Sequence, residues 1–250
     1  MDRIVTIPFA FPGAPGVRCV FTTCMGGASR APYAAGNLSF DVGDEQTAVV
    51  ANRQALQAQE GFAGWAENRQ VHGDVIRFDP PSEAMLAPAT HEADGLASSR
   101  PGLALAAKTA DCQPVLLAHA SGRAVAALHV GWRGNRIGFP VTGVRAFCSH
   151  YGFDPASVLA VRGPSLGPAA SEFVNFEKEF GPEFSSYFDS ANRTVDLWRL
   201  TRDQLQAAGL QEKNIFSLDL CTFSLPGAFY SYRRERTTGR QAGVIWIEAK

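Results

Sequence analysis

The side chains able to do chemistry in this 250-residue chain fall in three short segments that interrupt apolar runs. The first is Gln70-Val71-His72-Gly73. The second is Lys108-Thr109-Ala110-Asp111-Cys112-Gln113-Pro114, and the third is Leu128-His129-Val130-Gly131-Trp132-Arg133-Gly134. Functional groups of α/β scaffolds are presented at strand ends, where the second and third segments lie. His72, Cys112 and His129 supply two imidazoles and a thiol, a donor set suited to zinc or copper. They are 40 and 17 residues apart, so each comes from a different element. Three protein ligands leave one tetrahedral position open, which marks a catalytic rather than a structural zinc site. Water held there has its pKa lowered towards ~7. Gly73, Gly131 and Gly134 allow backbone to approach closely. The same residues also fit a metal-free chemistry, with Cys112 as a nucleophile activated by His72 or His129. Spacing alone does not separate the two.

The elements that must position these residues are legible as apolar patterns. Runs at Val17–Thr23, Leu103–Lys108, Pro114–Ala118, Ala124–Val130, Ser157–Val161 and Ala242–Ile247 read as strands. Most are apolar at nearly every residue, which suits strands covered on both faces. Asp44 is the expected N-cap of a helix over Glu45–Gln59, with Ala48, Ala51, Ala55 and Ala58 on its buried face. Ile137, Val141, Val144 and Cys148 are spaced for one face of a second helix. A third runs from Leu200 to Ala208 and ends at Gly209. Strands and helices alternate only loosely. The expected fold is therefore of α+β type: layered mixed sheets with flanking helices, in a single domain spanning 1–250.

Composition narrows the class. The chain is 46% hydrophobic, enough for a substantial core. Lys and Arg number 23 against 24 Asp and Glu, which argues against a nucleic-acid-binding protein built on a basic surface. No apolar run is long enough to span a membrane, and residues 1–11 lack the order of a secretory signal, so a cytoplasmic protein is expected. Five scattered cysteines with no C-x-x-C pair exclude a disulfide framework and a zinc ribbon. Neither a dinucleotide fingerprint nor a P-loop occurs.

The three reactive segments also occur in order with Gly36-Asn37-Leu38, Val42-Gly43-Asp44 and Gly163-Pro164-Ser165-Leu166-Gly167. Together they resemble the bacterial laccase-domain family, described variously as multicopper polyphenol oxidoreductases, zinc-dependent purine nucleoside phosphorylases or peptidoglycan editing factors. The likeness spans roughly Phe21 to Ile247. It includes Phe229-Tyr230-Ser231-Tyr232-Arg233-Arg234 and Thr238-Gly239-Arg240-Gln241 near the C-terminus. The resemblance implies a laccase-domain-like layered α/β fold. It implies that His72, Cys112 and His129 bind Zn2+, with copper as the other metal. It further implies phosphorolysis of adenosine, inosine, guanosine or methylthioadenosine to base and ribose 1-phosphate, and deamination of adenosine.

On that basis the partners are a purine nucleoside and phosphate. Arg133 offers a guanidinium fork to phosphate oxygens, and one member of the group Arg233, Arg234, Arg236 and Arg240, taken as Arg234, is expected to join it. Asp111 and Glu172 are the candidate proton carriers. Asp111 is alternatively the carboxylate that orients a ligand histidine. Asn37 is expected to contact ribose or order a loop, and Tyr33, Phe40, Trp132 and Phe173 are candidates for stacking on a purine. His91, His119 and His150 are expected to be surface or structural residues. Copper-dependent phenol oxidation is the second hypothesis, although five histidines cannot supply several coppers. A cysteine hydrolase acting on a cell-wall precursor is the third. The chain departs from the family at Ala169-Ala170-Ser171, where many members carry Cys-Cys-Tyr before the glutamate. Lys108 and Arg162 stand where members usually have apolar residues.

Overall fold

Alternation of side chains along the strands sorts the apolar residues into layers. The computed structural model describes residues 3–83 and 85–249. The strands are β1 (Thr6–Phe9), β2 (Val17–Thr22), β3 (Gly64–Ala66), β4 (Ile76–Phe78), β5 (Gly95–Ser98), β6 (Leu103–Thr109), β7 (Gln113–His119), β8 (Val125–Val130), β9 (Val158–Arg162), β10 (Phe188–Asp189), β11 (Thr194–Val195), β12 (Ile215–Ser217) and β13 (Gln241–Ile247). The helices are α1 (Gln46–Glu60), α2 (Trp132–Arg136), α3 (Phe139–Tyr151), α4 (Phe176–Glu179) and α5 (Leu197–Ala207). One mixed sheet has the order β1-β2-β13-β6-β3 and a second has the order β12-β9-β7-β8-β5-β4.

The two sheets face each other. Cys19 and Phe21 of β2 and Leu103 and Leu105 of β6 meet Leu116 of β7, Ala127 of β8 and Val161 of β9 between them. The alternate residues, such as Ala104 and Ala106 of β6 and Val244 of β13, turn to the other side and meet Leu56 of α1. Val115 and Leu117 of β7 and Leu128 of β8 meet Phe139, Val144 and Phe147 of α3 and Leu205 of α5. The result is a helix–sheet–sheet–helix sandwich, and the expected layered mixed α/β architecture is observed. Burial on both faces explains why these strands read as unbroken apolar runs.

All six expected strands are present, with ends within one residue of the expectation. The helix faces need correction. The buried face of α1 is Val49, Asn52, Arg53, Ala55 and Leu56, whereas Ala51 and Ala58 point to solvent. Two of the buried residues are polar, so apolar spacing pointed to the wrong face. Asp44 does not cap α1 by bonding into its first turn. Its carboxylate instead accepts from the Glu45 N–H, Ser29 Oγ and Asn37 Nδ2. Ile137 precedes α3 and is exposed, and the helix buries Phe139, Gly143, Val144, Phe147 and Cys148. The expected Leu200–Ala208 helix begins three residues earlier, where Asp196 caps it by accepting from the Arg199 N–H. No helix among the described residues is long and apolar enough to cross a membrane.

The polar stripe of α1 feeds a buried charge network. Arg53 is fully buried and donates to Leu38 O and Met85 O and to both Glu67 carboxylate oxygens at 2.8 Å. Lys108 Nζ lies 3.2 Å from Glu67 and 3.0 Å from Asp41. Removing one partner of a buried, hydrogen-bonded ion network strands the other. Arg53→Met is therefore expected to cost about 3–5 kcal/mol in urea unfolding, and a loss well under that range would show the network to be structurally dispensable.

Candidate metal centre

Cys112 and His72 both sit on connections that leave one sheet and enter the other. Cys112 closes the turn between β6 in the first sheet and β7 in the second, and His72 lies on the loop from β3 to β4. His129 is on β8, directly opposite Pro114 of β7. These two sheet-to-sheet crossings and the central strand bring the three residues together at one end of the sandwich. Their donor atoms all lie within 4.8 Å of one another, with Cys112 Sγ 3.8 Å from His72 Nε2. The imidazole rings meet edge to face, 4.9 Å between centroids. Bonds of ~2.0–2.3 Å to one tetrahedral ion place N and S donors ~3.3–3.6 Å apart. The observed cluster reaches that by small side-chain rotations, so the donor set fits a metal.

The anchor of the cluster is Asp94, the residue before β5. The register that pairs Gly95 with Leu128 sets Asp94 beside His129. Its carboxylate is fully buried and accepts four hydrogen bonds. His129 Nδ1 is 2.8 Å away, and the backbone N–H groups of Val71, His72 and Gly73 donate at 3.1, 2.9 and 2.7 Å. Three consecutive amides aimed at one carboxylate form an anion nest. That nest fixes the loop in a form with His72 in the left-handed region, φ 62°, a conformation non-glycine residues rarely adopt. With Nδ1–H given to Asp94, the Nε2 lone pair of His129 is the one left for an ion. Asp94, not Asp111, is thus the carboxylate that orients His129. Gly131 is the glycine that the site demands, because a Cβ there would lie 3.0 Å from both Cys112 Sγ and His72 Cδ2. At Gly73 and Gly134 a Cβ would meet only ordinary contacts.

Electrostatics follow from this packing. Burial alone would raise the Asp94 carboxyl, but the His129 hydrogen bond and charge and the loop amides outweigh it and hold the group below its ordinary value. Burial likewise opposes ionisation of Cys112, yet the charge of His129 and hydrogen bonds from both histidines bring the thiol down to about 6. Against its own burial, His129 is raised to about 9 by the Cys112 charge and the Asp94 hydrogen bond. Between those values the metal-free pair is thiolate and imidazolium, and taking up an ion requires His129 to shed a proton.

The cluster opens into a cavity of about 1060 Å³. Arg133, Arg233, Arg236 and Arg240 line it, and among the described residues none has a carboxylate within ion-pair distance. Trp132, Phe173 and Tyr232 add aromatic surface, whereas Phe40 lies under the Arg53 guanidinium and Tyr33 donates to Val42 O. Asp111 is on the wall, but Thr222 Oγ1 and the Arg233 N–H already donate to its carboxylate. Glu172 is on the wall and paired with Arg193. Glu179, which the sequence reading overlooked, is there too, with Oε2 free of partners among the described residues.

Two expected substrate contacts lie off the cavity wall. Asn37 is fully buried, donating to Ser39 O and Asp44 and accepting from the Ser39 and Arg240 N–H groups. It orders its loop and steadies the backbone of Arg240. Arg234 spends its guanidinium on the carbonyls of Thr222, Phe223 and Phe229, which pins the C-terminal segment.

Fold and site together define an α/β protein built on two large facing sheets, with a His–Cys–His cluster at their junction. The chain belongs to the multi-copper polyphenol oxidoreductase laccase family, whose model matches residues 18–248. It is 34% identical to the Escherichia coli (strain K12) protein named purine nucleoside phosphorylase YfiH, with 95% of this chain and 96% of that one aligned. It is 35% identical to a purine nucleoside phosphorylase of Xylella fastidiosa (strain 9a5c), covering 95% of each. Among solved structures, Neisseria meningitidis protein NMB0706 superposes with TM-score 0.85 at 31% identity, covering 98% and 99% of the two chains. YlmD from Geobacillus stearothermophilus superposes with TM-score 0.85 at 28% identity, covering 95% and 94%.

Two measurements probe this geometry. Asp94→Asn turns an amide towards donors and is expected to weaken Zn2+ affinity about 10- to 100-fold, read by competition with a chromophoric chelator. Unchanged affinity would remove Asp94 from its anchoring role. In metal-free protein, alkylation of Cys112 by iodoacetamide, followed by peptide mass mapping, should reach half its maximal rate near pH 6. A midpoint near that of an ordinary thiol would contradict the thiolate–imidazolium pair.

Proposed function

We propose that this protein is a zinc-dependent purine nucleoside phosphorylase acting on adenosine, inosine, guanosine or methylthioadenosine, with adenosine deamination as a second activity. The observation that carries the reading is one three-donor cluster on the floor of a cavity that also holds four carboxylate-free arginines and aromatic rings. The names of the relatives support it. His72, Cys112 and His129 would hold the zinc, which supplies Lewis acidity at its remaining position.

The residues of the chain do the rest. Arg133, with Arg233, Arg236 and Arg240, binds inorganic phosphate through charge-assisted hydrogen bonds. A phosphate oxygen forms a bond to C1′ of the ribose as the glycosidic bond breaks, and the bonding pair leaves with the purine. The sugar passes through a cation-like state, as in glycoside cleavage. The departing base takes up a proton inside the cavity, where Asp111, Glu172 and Glu179 are the carboxylates on the wall. Trp132 and Phe173 give the base an apolar surface.

One observation favours a second reading. Asp94, His129 and Cys112 form the orienter, base and thiol sequence of a cysteine nucleophile, as a hydrolase without metal would use. Copper-dependent phenol oxidation has less support. Among the described residues there is one three-ligand cluster. The other histidines are engaged elsewhere, His91 beside Glu83, His119 on Phe153 and His150 on Phe78.

Zinc-loaded protein is expected to convert adenosine to adenine and ribose 1-phosphate only when phosphate is present, as followed by chromatography. Cys112→Ala should lose both bound zinc and turnover. Full activity after chelation would favour the cysteine hydrolase instead.

A further inference from the structure

Beside Cys112 the cavity wall carries a buried amide whose oxygen has nothing to bond to. Gln113 is 1% exposed, lines the cavity, and has no partner for Oε1 among the described residues. A buried acceptor left unpaired costs ~1–3 kcal/mol, so such an atom on a cavity wall points to a ligand.

The polarity of this amide is fixed from behind. Asn135 Nδ2 donates to Thr201 Oγ1 at 2.8 Å and to Gln204 Oε1 at 2.9 Å, and Gln204 Nε2 returns a bond to Asn135 O at 2.7 Å. Asn135 therefore presents Oδ1 to Gln113, and Gln113 must answer with Nε2, at 2.9 Å. Flipping the Gln113 amide would set two oxygens against each other. The acceptor is thus the atom left without a partner, on a residue that lines the cavity. Thr109 Oγ1, also buried and on the wall, is likewise without a partner. Gln113 joins the wall through Asn135 of α2, the helix that begins at Trp132, whereas Arg233, Arg236 and Arg240 arrive from the C-terminal segment. Gln113 is thus tied to the helix that opens with Trp132, one of the cavity aromatics.

We propose that Gln113 Oε1 is a specificity determinant that accepts a hydrogen bond from an N–H on the six-membered-ring edge of the purine, the exocyclic amine in adenosine. Thr109 Oγ1, also unpaired and on the wall, can donate or accept. The inference rests on the phosphorolysis reading and names which purines that site prefers. A site built around a buried acceptor discriminates against an analogue lacking the donor, because the acceptor is then left unpaired.

The test compares adenosine with purine riboside, which has no N–H on the base, in wild type, Gln113→Met and Gln113→Leu. Comparing the ratio of kcat/KM across variants cancels the intrinsic reactivity of the two nucleosides. Wild type is expected to prefer adenosine by at least about tenfold. Q113M, similar in length but without the acceptor, should shrink that ratio to within about threefold, mainly through KM for adenosine. Q113L also removes the acceptor and should shrink the ratio in the same way, which keeps the test open if Q113M does not fold. An adenosine preference that Q113M leaves unmoved while turnover persists overturns the inference alone. Absence of turnover of either nucleoside by wild type overturns the phosphorolysis reading, and this inference with it.

Discussion

The Asp94 carboxylate takes four hydrogen bonds, three from one loop and one from an imidazole on a neighbouring strand. Two of the three cluster residues depend on it directly. It sets the backbone that carries His72, and it fixes which nitrogen of His129 faces Cys112. A fully buried carboxylate is costly unless every lone pair is used, and here the nest and the imidazole use them. The same arrangement depresses the thiol of Cys112, because His129 is held charged beside it. Geometry and electrostatics of the site thus have one origin.

That anchor works because of where the chain crosses between sheets. β6 to β7 and β3 to β4 each leave the first sheet and enter the second, so their loops share one end of the sandwich. β8, central in the second sheet and buried at every residue, delivers His129 with little freedom. A rigid strand holds His129, and Cys112 lies one residue before β7, which suits a precise site. The two buried cations that interrupt apolar strands, Lys108 and Arg162, are each compensated. Lys108 is neutralised by Glu67 and Asp41, and Glu67 is held in turn by Arg53. Arg162 pairs with Asp219 and stacks on Trp198 at 4.2 Å.

Much of this was legible in the residues. The six longest apolar runs are strands because both their faces are buried, and the three reactive segments do converge. Short strands escaped notice. Gly95–Ser98 and Ile76–Phe78 are too brief for a pattern, and with β5 went Asp94, although an acid opening the short run Gly95-Leu96-Ala97 was a usable signal. Polar burial misled in the same way at α1, where Asn52 and Arg53 face inwards and no hydropathy pattern records them. Asn37 and Arg234 looked like ligand contacts because of their type. Only the fold shows that carbonyls and N–H groups of their own loops consume them. Gln113 was visible only as a member of the second reactive segment, which does not record the Asn135, Thr201 and Gln204 chain behind it.

A carboxylate-anchored loop and strand hold two imidazoles and a thiolate together, poised for one ion. X-ray absorption at the zinc edge of the zinc-loaded protein tests it most directly. The account predicts one sulfur at ~2.3 Å and two imidazole nitrogens at ~2.0–2.1 Å, with the sulfur shell gone in Cys112→Ala. A zinc bound through oxygen and nitrogen alone in the unaltered protein would contradict it.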